Sequence, residues 1–142
     1  MVLKYATGNS TKLAGAKKFL EPLGITVEQV NIDIPEIQAD TNEEVAINSS
    51  KYAFSQLSEM VLKNDGGLVI PALKGFPGVY ARYIEETLGA EGILKLMDGL
   101  EGEDRNAYFI ECLALTEDDG TTKVFTCKTP GHISHEMSGE YG

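Results

Sequence analysis

The sequence predicts an α/β domain with a mixed sheet. Two observations carry that prediction. Strand-like and helix-like segments alternate through most of the chain, and two further strand-like runs near the end flank Asp118-Asp119-Gly120, as in a hairpin.

Each element has its own local reason. Residues 2–6 form an apolar run that reads as a buried strand. A polar turn follows, and a helical pattern begins near Thr11 and runs through Leu13, Ala16, Leu20 and Leu23. Gly24 is a natural helix stop. Residues 25–30 read as a second strand, and the polar, proline-bearing stretch 31–40 as a loop. Thr41-Asn42-Glu43-Glu44 is a capping-box pattern that opens a long helix. Its expected apolar face is Val45, Ser49, Tyr52, Ala53, Leu57, Met60 and Val61. Residues 67–70 read as a short strand, 74–78 as a loop, and 79–88 and 90–97 as two short helices closed by glycine. Residues 107–115 and 123–129 make the expected hairpin. There is no internal repeat and no low-complexity run.

Composition narrows the class. A chain of 142 residues with 42% hydrophobic and 24% charged residues reads as one ordinary globular domain with a real core. No apolar run reaches membrane-spanning length, and the N-terminus lacks a signal-peptide core, so a cytoplasmic protein is expected. The net charge of −10 argues against nucleic acid as a partner. Cys112 and Cys127 would lie near each other in the hairpin but not opposite, and are expected to be free, buried thiols.

The most informative stretch is Thr7-Gly8-Asn9-Ser10-Thr11-Lys12. Strand, polar turn, helix is the geometry that aims backbone N–H groups at an anion, and the helix N-terminus adds about half a positive charge. Thr7, Ser10 and Thr11 offer hydroxyls, Asn9 an amide and Lys12 a point charge. The same residues also serve ordinary turns and caps. An acidic chain that handles a polyphosphate must screen repulsion, and a divalent cation held by carboxylates does so.

Thr-Gly-Asn-x-x-Lys is followed in order by Pro35-Glu36-Ile37-Gln38, Asp65-Gly66-Gly67-Leu68, Lys74-Gly75-Phe76-Pro77-Gly78-Val79-Tyr80, Glu91-Gly92-Ile93-Leu94 and Arg105-Asn106-Ala107-Tyr108-Phe109. This ordered set resembles the inosine/xanthosine triphosphate pyrophosphatase family, its archaeal branch above all. The resemblance implies an elongated mixed-sheet fold with a central substrate cleft, and a homodimer. The implied activity is Mg²⁺-dependent hydrolysis of non-canonical purine nucleoside triphosphates such as ITP, dITP and XTP to monophosphate and pyrophosphate. By the same resemblance Thr7, Gly8, Asn9, Ser10, Thr11, Lys12 and Gly66 would bind substrate. Glu36 would be a metal ligand, and Asp65 the general base and a metal ligand. Taken without the resemblance, Glu36 reads equally as a solvated loop carboxylate and Asp65 as a turn residue. Phe76, Val79, Tyr80 and Tyr83 offer a dimer contact, while core packing is the competing expectation for Tyr80, Tyr83 and Tyr108.

Three departures from the family stand out. Gly15 replaces a usual Glu, and Gly66 a usual Ser or Thr. The family also continues for some tens of residues beyond Gly131-x-Ile133, in segments that grip the purine. On that reading this 142-residue chain is expected to show low activity and poor base selectivity. The alternative class is a weak or inactive homologue that binds nucleotide or acts by dimerising. His132, His135 and Glu136 have a metal-like spacing but lack a third histidine and a helical pattern, so no zinc site is expected.

Overall fold

The fold is described from a computed structural model, for residues 1–139. The N-terminal run forms β1 (Val2–Ala6), with Leu3 and Tyr5 buried on one face. It pairs in parallel with β2 (Thr26–Val30), Leu3 opposite Val27, and in parallel with β3 (Val61–Val69), Tyr5 opposite Leu62. Between β1 and β2 lies α1 (Ser10–Leu20), which tightens into a short 3₁₀ turn and ends at Gly24. Gly24 has φ +81°, a conformation that glycine adopts without a Cβ penalty.

The long helix, α2 (Asn42–Leu57), buries Val45, Ala46, Ser49, Ser50 and Ala53 at helical spacing. Its apolar face is shorter than expected. The helix stops at Leu57, Ser58 turns left-handed with φ +54°, and Val61 opens a strand instead. Met60 and Val61 therefore do not belong to the helix face, and Tyr52 is exposed.

β3 also starts well before residue 67, where the sequence pattern placed it. Leu62 and Asn64 are buried, while Lys63 and Asp65 are partly exposed. That is the period-2 alternation of a strand, written here in polar residues rather than apolar ones. Asp65 thus sits inside the strand rather than at its entry.

Next come β4 (Pro77–Gly78), antiparallel to β3, then α3 (Ala81–Thr87) and α4 (Gly89–Leu96). The hairpin strands are β5 (Asn106–Thr116) and β6 (Thr122–His132), each longer than the pattern indicated. Their turn is fixed by Asp119, whose Oδ1 accepts from the Thr121 N–H at 2.9 Å and from its hydroxyl at 2.7 Å. These bonds hold the Asp119 carboxyl below its usual range. The sheet has the order β2-β1-β3-β5-β6, with β4 beside β3, so the α/β class and the mixed sheet are as the sequence predicts.

The chain forms two compact units. One holds residues 1–39, 43–65 and 112–126, and the other holds 40–42, 66–111 and the stretch from Cys127. In the first unit the two faces of the sheet carry separate cores. Leu3, Tyr5, Val27 and Leu62 pack with Leu13, Ala16 and Leu20 of α1. Ala6, Val61 and Val30 pack with Ala53, Phe54 and Leu57 of α2. Buried hydroxyls join the α2 side, Ser50 to Thr116 at 2.7 Å and Thr116 to Thr122 at 3.0 Å.

The second unit is centred on Ile70, Ile93, Met97 and Ala107, with Phe76 and Ile84 packed against them. Tyr80 and Tyr83 are exposed and do not fill this core, contrary to the packing expectation. Tyr108 is half-buried, with the Lys128 ammonium 5.0 Å from its ring centre. Both cysteines are free, as expected, but only Cys112 is buried.

Arg105 is buried, and its guanidinium donates to the carbonyls of Met97, Leu100, Ile133 and Ser134 at 2.7 to 2.9 Å. A fork of fixed donors thereby collects backbone acceptors that would otherwise be orphaned. Arg105→Ala should lower the unfolding free energy by about 3 kcal/mol, since hydrogen bonds to a charged group are lost and buried carbonyls are left bare. Urea denaturation measures this. Arg82→Ala, at an exposed i,i+4 pair with Glu86, should change stability by less than about 0.5 kcal/mol.

Candidate functional site

The site is built at the C-terminal ends of β1 and β2, where open α/β sheets place their ligands. β1 ends in the turn Thr7-Gly8-Asn9. Thr7 is buried, and its Oγ1 accepts from the Asn9 N–H at 3.1 Å. Gln29 of β2 donates to the Thr7 carbonyl at 2.7 Å. Asn9 is the N-cap of α1, and its Oδ1 accepts from the N–H groups of Thr11 at 2.9 Å and Lys12 at 3.0 Å.

These bonds refine the expected cradle. The Thr11 and Lys12 N–H groups are spent on the cap, and the Thr7 hydroxyl shapes the turn. What remains for a ligand is the Asn9 amide NH₂, the exposed hydroxyls of Ser10 and Thr11 and the positive end of α1, and Lys12 stands in the first turn of that helix. A Cβ built on Gly8 meets no protein atom within 4 Å, and Gly8 does not adopt a positive φ. Nothing inside the protein requires glycine there.

A cavity of about 300 Å³ opens beside this turn. Ala6, Thr7, Gly8, Asn31, Asp33 and Lys63 contribute to its wall. Lys63 is a residue that the sequence pattern did not single out. It lies in β3 two residues before Asp65, so the two side chains share a face of the sheet. Its ammonium is held below the ordinary lysine range by burial first and by the Lys12 charge second, while Asp65 and Glu36 push it the other way. Lys12, Asp65 and Glu36 therefore all act on Lys63, although they come from a helix, a strand and a loop. Lys63 could have been noticed as a charge between the apolar pair Val61-Leu62 and Asp65 once that stretch is seen as a strand.

Gly66 is neither in the wall of that cavity nor among the groups that act on Lys63. A Cβ at Gly66 would lie 2.6 Å from the Glu111 Oε1, so the Glu111 carboxylate fills the space where the family carries a hydroxyl side chain. At Gly15, in α1, a Cβ would meet nothing within 4 Å.

Glu36 and Asp65 are two hard oxygen donors. Magnesium keeps several waters and takes one or two carboxylates plus substrate phosphates, so this pair fits it, whereas a dedicated metal cage would need more ligands. Among the described residues no group of three or more His, Cys, Asp or Glu side chains could hold a metal ion. His135 instead meets Glu101 at 3.2 Å on the surface, and His132 ends β6, so the His-x-x-His-Glu stretch is not a helix.

A larger cavity, about 710 Å³, lies in the second unit among Leu68, Ile84, Ile93, Tyr108 and Phe109. No lysine or arginine lines it, so its chemistry suits apolar or aromatic matter rather than phosphate.

The sequence pattern of the Ham1 family matches residues 3–142. The chain is 43% identical, over its full length and 74% of the relative's, to a dITP/XTP pyrophosphatase of Methanopyrus kandleri. It is 42% identical to that of Thermococcus kodakarensis, covering 75% of it. Among solved structures it resembles a HAM1 protein from Coxiella burnetii, with TM-score 0.85, 26% identity and 77% of that chain covered. It also resembles the nucleoside-triphosphatase / dITP/XTP pyrophosphatase from Mycobacterium abscessus, with TM-score 0.80, 25% identity and 77% coverage. In sequence and in fold alike, this chain belongs to the Ham1 family.

Proposed function

We propose that the chain is a Mg²⁺-dependent nucleoside triphosphate pyrophosphohydrolase acting on non-canonical purine nucleotides of the ITP, dITP and XTP type. The relatives named as dITP/XTP pyrophosphatases support the substrate class. The observation that carries the reading is the cavity walled by Thr7, Gly8 and Lys63 beside the Asn9-capped start of α1.

The division of labour follows from charge. The capped start of α1 and Lys12 bind the phosphate chain. Ser10, Thr11 and the Asn9 amide donate to its oxygens. Glu36 and Asp65 hold Mg²⁺, which when bound neutralises phosphate charge. Water adds to the α-phosphorus, its proton passes to the Asp65 carboxylate, and the bond to the bridging oxygen breaks to release pyrophosphate. Such a reaction belongs in a compartment that holds free nucleotides and magnesium, the cytoplasm.

The deciding experiment incubates the protein with ITP, XTP and ATP plus Mg²⁺ and measures both phosphate products. Pyrophosphate is expected, and release of orthophosphate alone would refute the mechanism. Chelation by EDTA should abolish turnover. Asp65→Asn should lower kcat by about 10²- to 10⁴-fold, the loss typical of a catalytic base, and near-normal turnover would remove Asp65 from that role.

Gly8→Ala separates folding from binding. The added methyl meets no protein atom, so the melting temperature should hold. The methyl would crowd a phosphate brought to that wall, and KM for ITP should rise by roughly tenfold. An unchanged KM would place the phosphates elsewhere.

Self-association into a homodimer is part of the same reading. Tyr80 and Tyr83, one helical turn apart, leave two aromatic rings exposed, and such rings are enriched at interfaces. Light scattering should give twice the chain mass of 15.4 kDa, and Tyr83→Ser should shift the balance toward monomer. A monomeric mass at every micromolar concentration tested would end the claim.

A further inference from the structure

We propose that Gln29 is a positioning residue for phosphate: it fixes the Thr7–Gly8 peptide so that the Gly8 N–H is held ready for a phosphate oxygen. The inference rests on the pyrophosphohydrolase reading, and it adds to that site a side chain that none of the sequence motifs contains.

Three observations carry it. The first is the direction of one peptide. β1 and β2 pair with Tyr5 opposite Gln29, which brings the Gln29 side chain level with the turn that follows β1. Its Nε2 donates to the Thr7 carbonyl at 2.7 Å. The Thr7–Gly8 peptide is trans, so its carbonyl and its N–H point in opposite directions. Drawing the carbonyl to Gln29 turns the Gly8 N–H away from Gln29.

The second is the account of donors in the turn. The Thr7 N–H goes back to the Tyr5 carbonyl at 3.0 Å, and the Asn9 N–H goes to the Thr7 hydroxyl. Those of Thr11 and Lys12 go to the Asn9 side chain. Among the described residues the Gly8 N–H has no acceptor. The third is where that donor stands. Gly8 lines the cavity of about 300 Å³, and Gln29 does not. The space before Gly8 is open, since a Cβ there would meet no protein atom within 4 Å.

Thr7 is buried, so its carbonyl needs a partner in any case. The choice of partner has a second effect. Turns of types I and II differ chiefly in the orientation of their central peptide, so a short turn has more than one setting open to it. Rotation of the Thr7–Gly8 peptide would put a carbonyl oxygen where the N–H stands. A donor for an anion would become a group that repels it. The Gln29 bond holds against that rotation before any ligand arrives, and a donor set in advance costs no ordering at the moment of binding. Backbone N–H groups left open in a turn suit anionic oxygens, and inorganic pyrophosphate is a simple probe with such oxygens.

Amide NMR of protein carrying isotope-labelled glycine, titrated with inorganic pyrophosphate and Mg²⁺, tests this. The Gly8 amide is identified as the signal missing from Gly8→Ala. In the wild type its proton should move downfield as pyrophosphate binds, as expected of a charge-assisted hydrogen bond. Gln29→Met keeps the length of the side chain and removes the donor. There the shift should be mostly lost, and the dissociation constant for pyrophosphate should rise by about tenfold, the low end for a hydrogen bond to a charged group. If Gln29 serves only to satisfy a buried carbonyl, Gln29→Met will melt lower yet keep both the Gly8 shift and the affinity, and that result overturns the proposal. A wild-type Gly8 amide that stays put while pyrophosphate binds and ITP is cleaved also overturns it, and leaves the pyrophosphohydrolase reading standing. A wild-type protein that neither binds pyrophosphate nor releases it from ITP overturns both.

Discussion

The site depends on the register of β3 against β1. Tyr5 stands opposite Leu62, and the Tyr5 hydroxyl donates to Asn64 at 2.9 Å within the buried layer. A buried phenol and a buried amide satisfy each other there, so neither side chain can leave the interior cheaply. With Leu62 and Asn64 held on the α1 side of the sheet, Lys63 and Asp65 must project to the other face. A slip of one residue would exchange the two sets, turning the two charges into the core under α1 and the buried amide to the opposite face. The hydrophobic core and the charged site are therefore specified by the same alternation.

That alternation also explains how an acidic protein can present a place for an anion. The net charge of −10 is a property of the whole surface. The cavity by the first turn carries Lys63 as well as Asp33 on its wall, beside the capped start of α1. Charges beyond about 10 Å are largely screened at ordinary salt, so the local set of charges counts for more there than the net charge.

Much of this was legible from the residues. The strand–turn–helix at the start, the Gly24 stop, the capping-box helix and the late hairpin all follow from local rules that need no tertiary knowledge. The misreading of β3 has one cause. Val61 reads as the end of a helix face and Asn64-Asp65-Gly66-Gly67 as a good turn sequence, yet residues 61–69 form one strand. Burial of Asn64 is made possible by Tyr5, 59 positions away in sequence, a partner that no local window contains. Lys63 stayed hidden for the same reason. Tyr80 and Tyr83 erred the other way, since aromatic character foretells burial less surely than a partner surface does. The space at Gly66 was also invisible, because its occupant, Glu111, comes from another strand.

The double role of Asn9 has a consequence for the protein as it ages. Hydrolysis of its side-chain amide turns Asn9 into aspartate. Aspartate caps a helix as well as asparagine does, so the bonds from the Thr11 and Lys12 N–H groups would survive. The amide donor would be gone, and a negative charge would stand where the proposed function brings phosphate oxygens. Such a molecule would keep its fold, its melting curve and its mobility on a sizing column, yet lose the hold on nucleotide that the proposed function assigns to Asn9. Chemical wear at this one side chain would pass every test of foldedness, and only a mass shift or a binding measurement would reveal it.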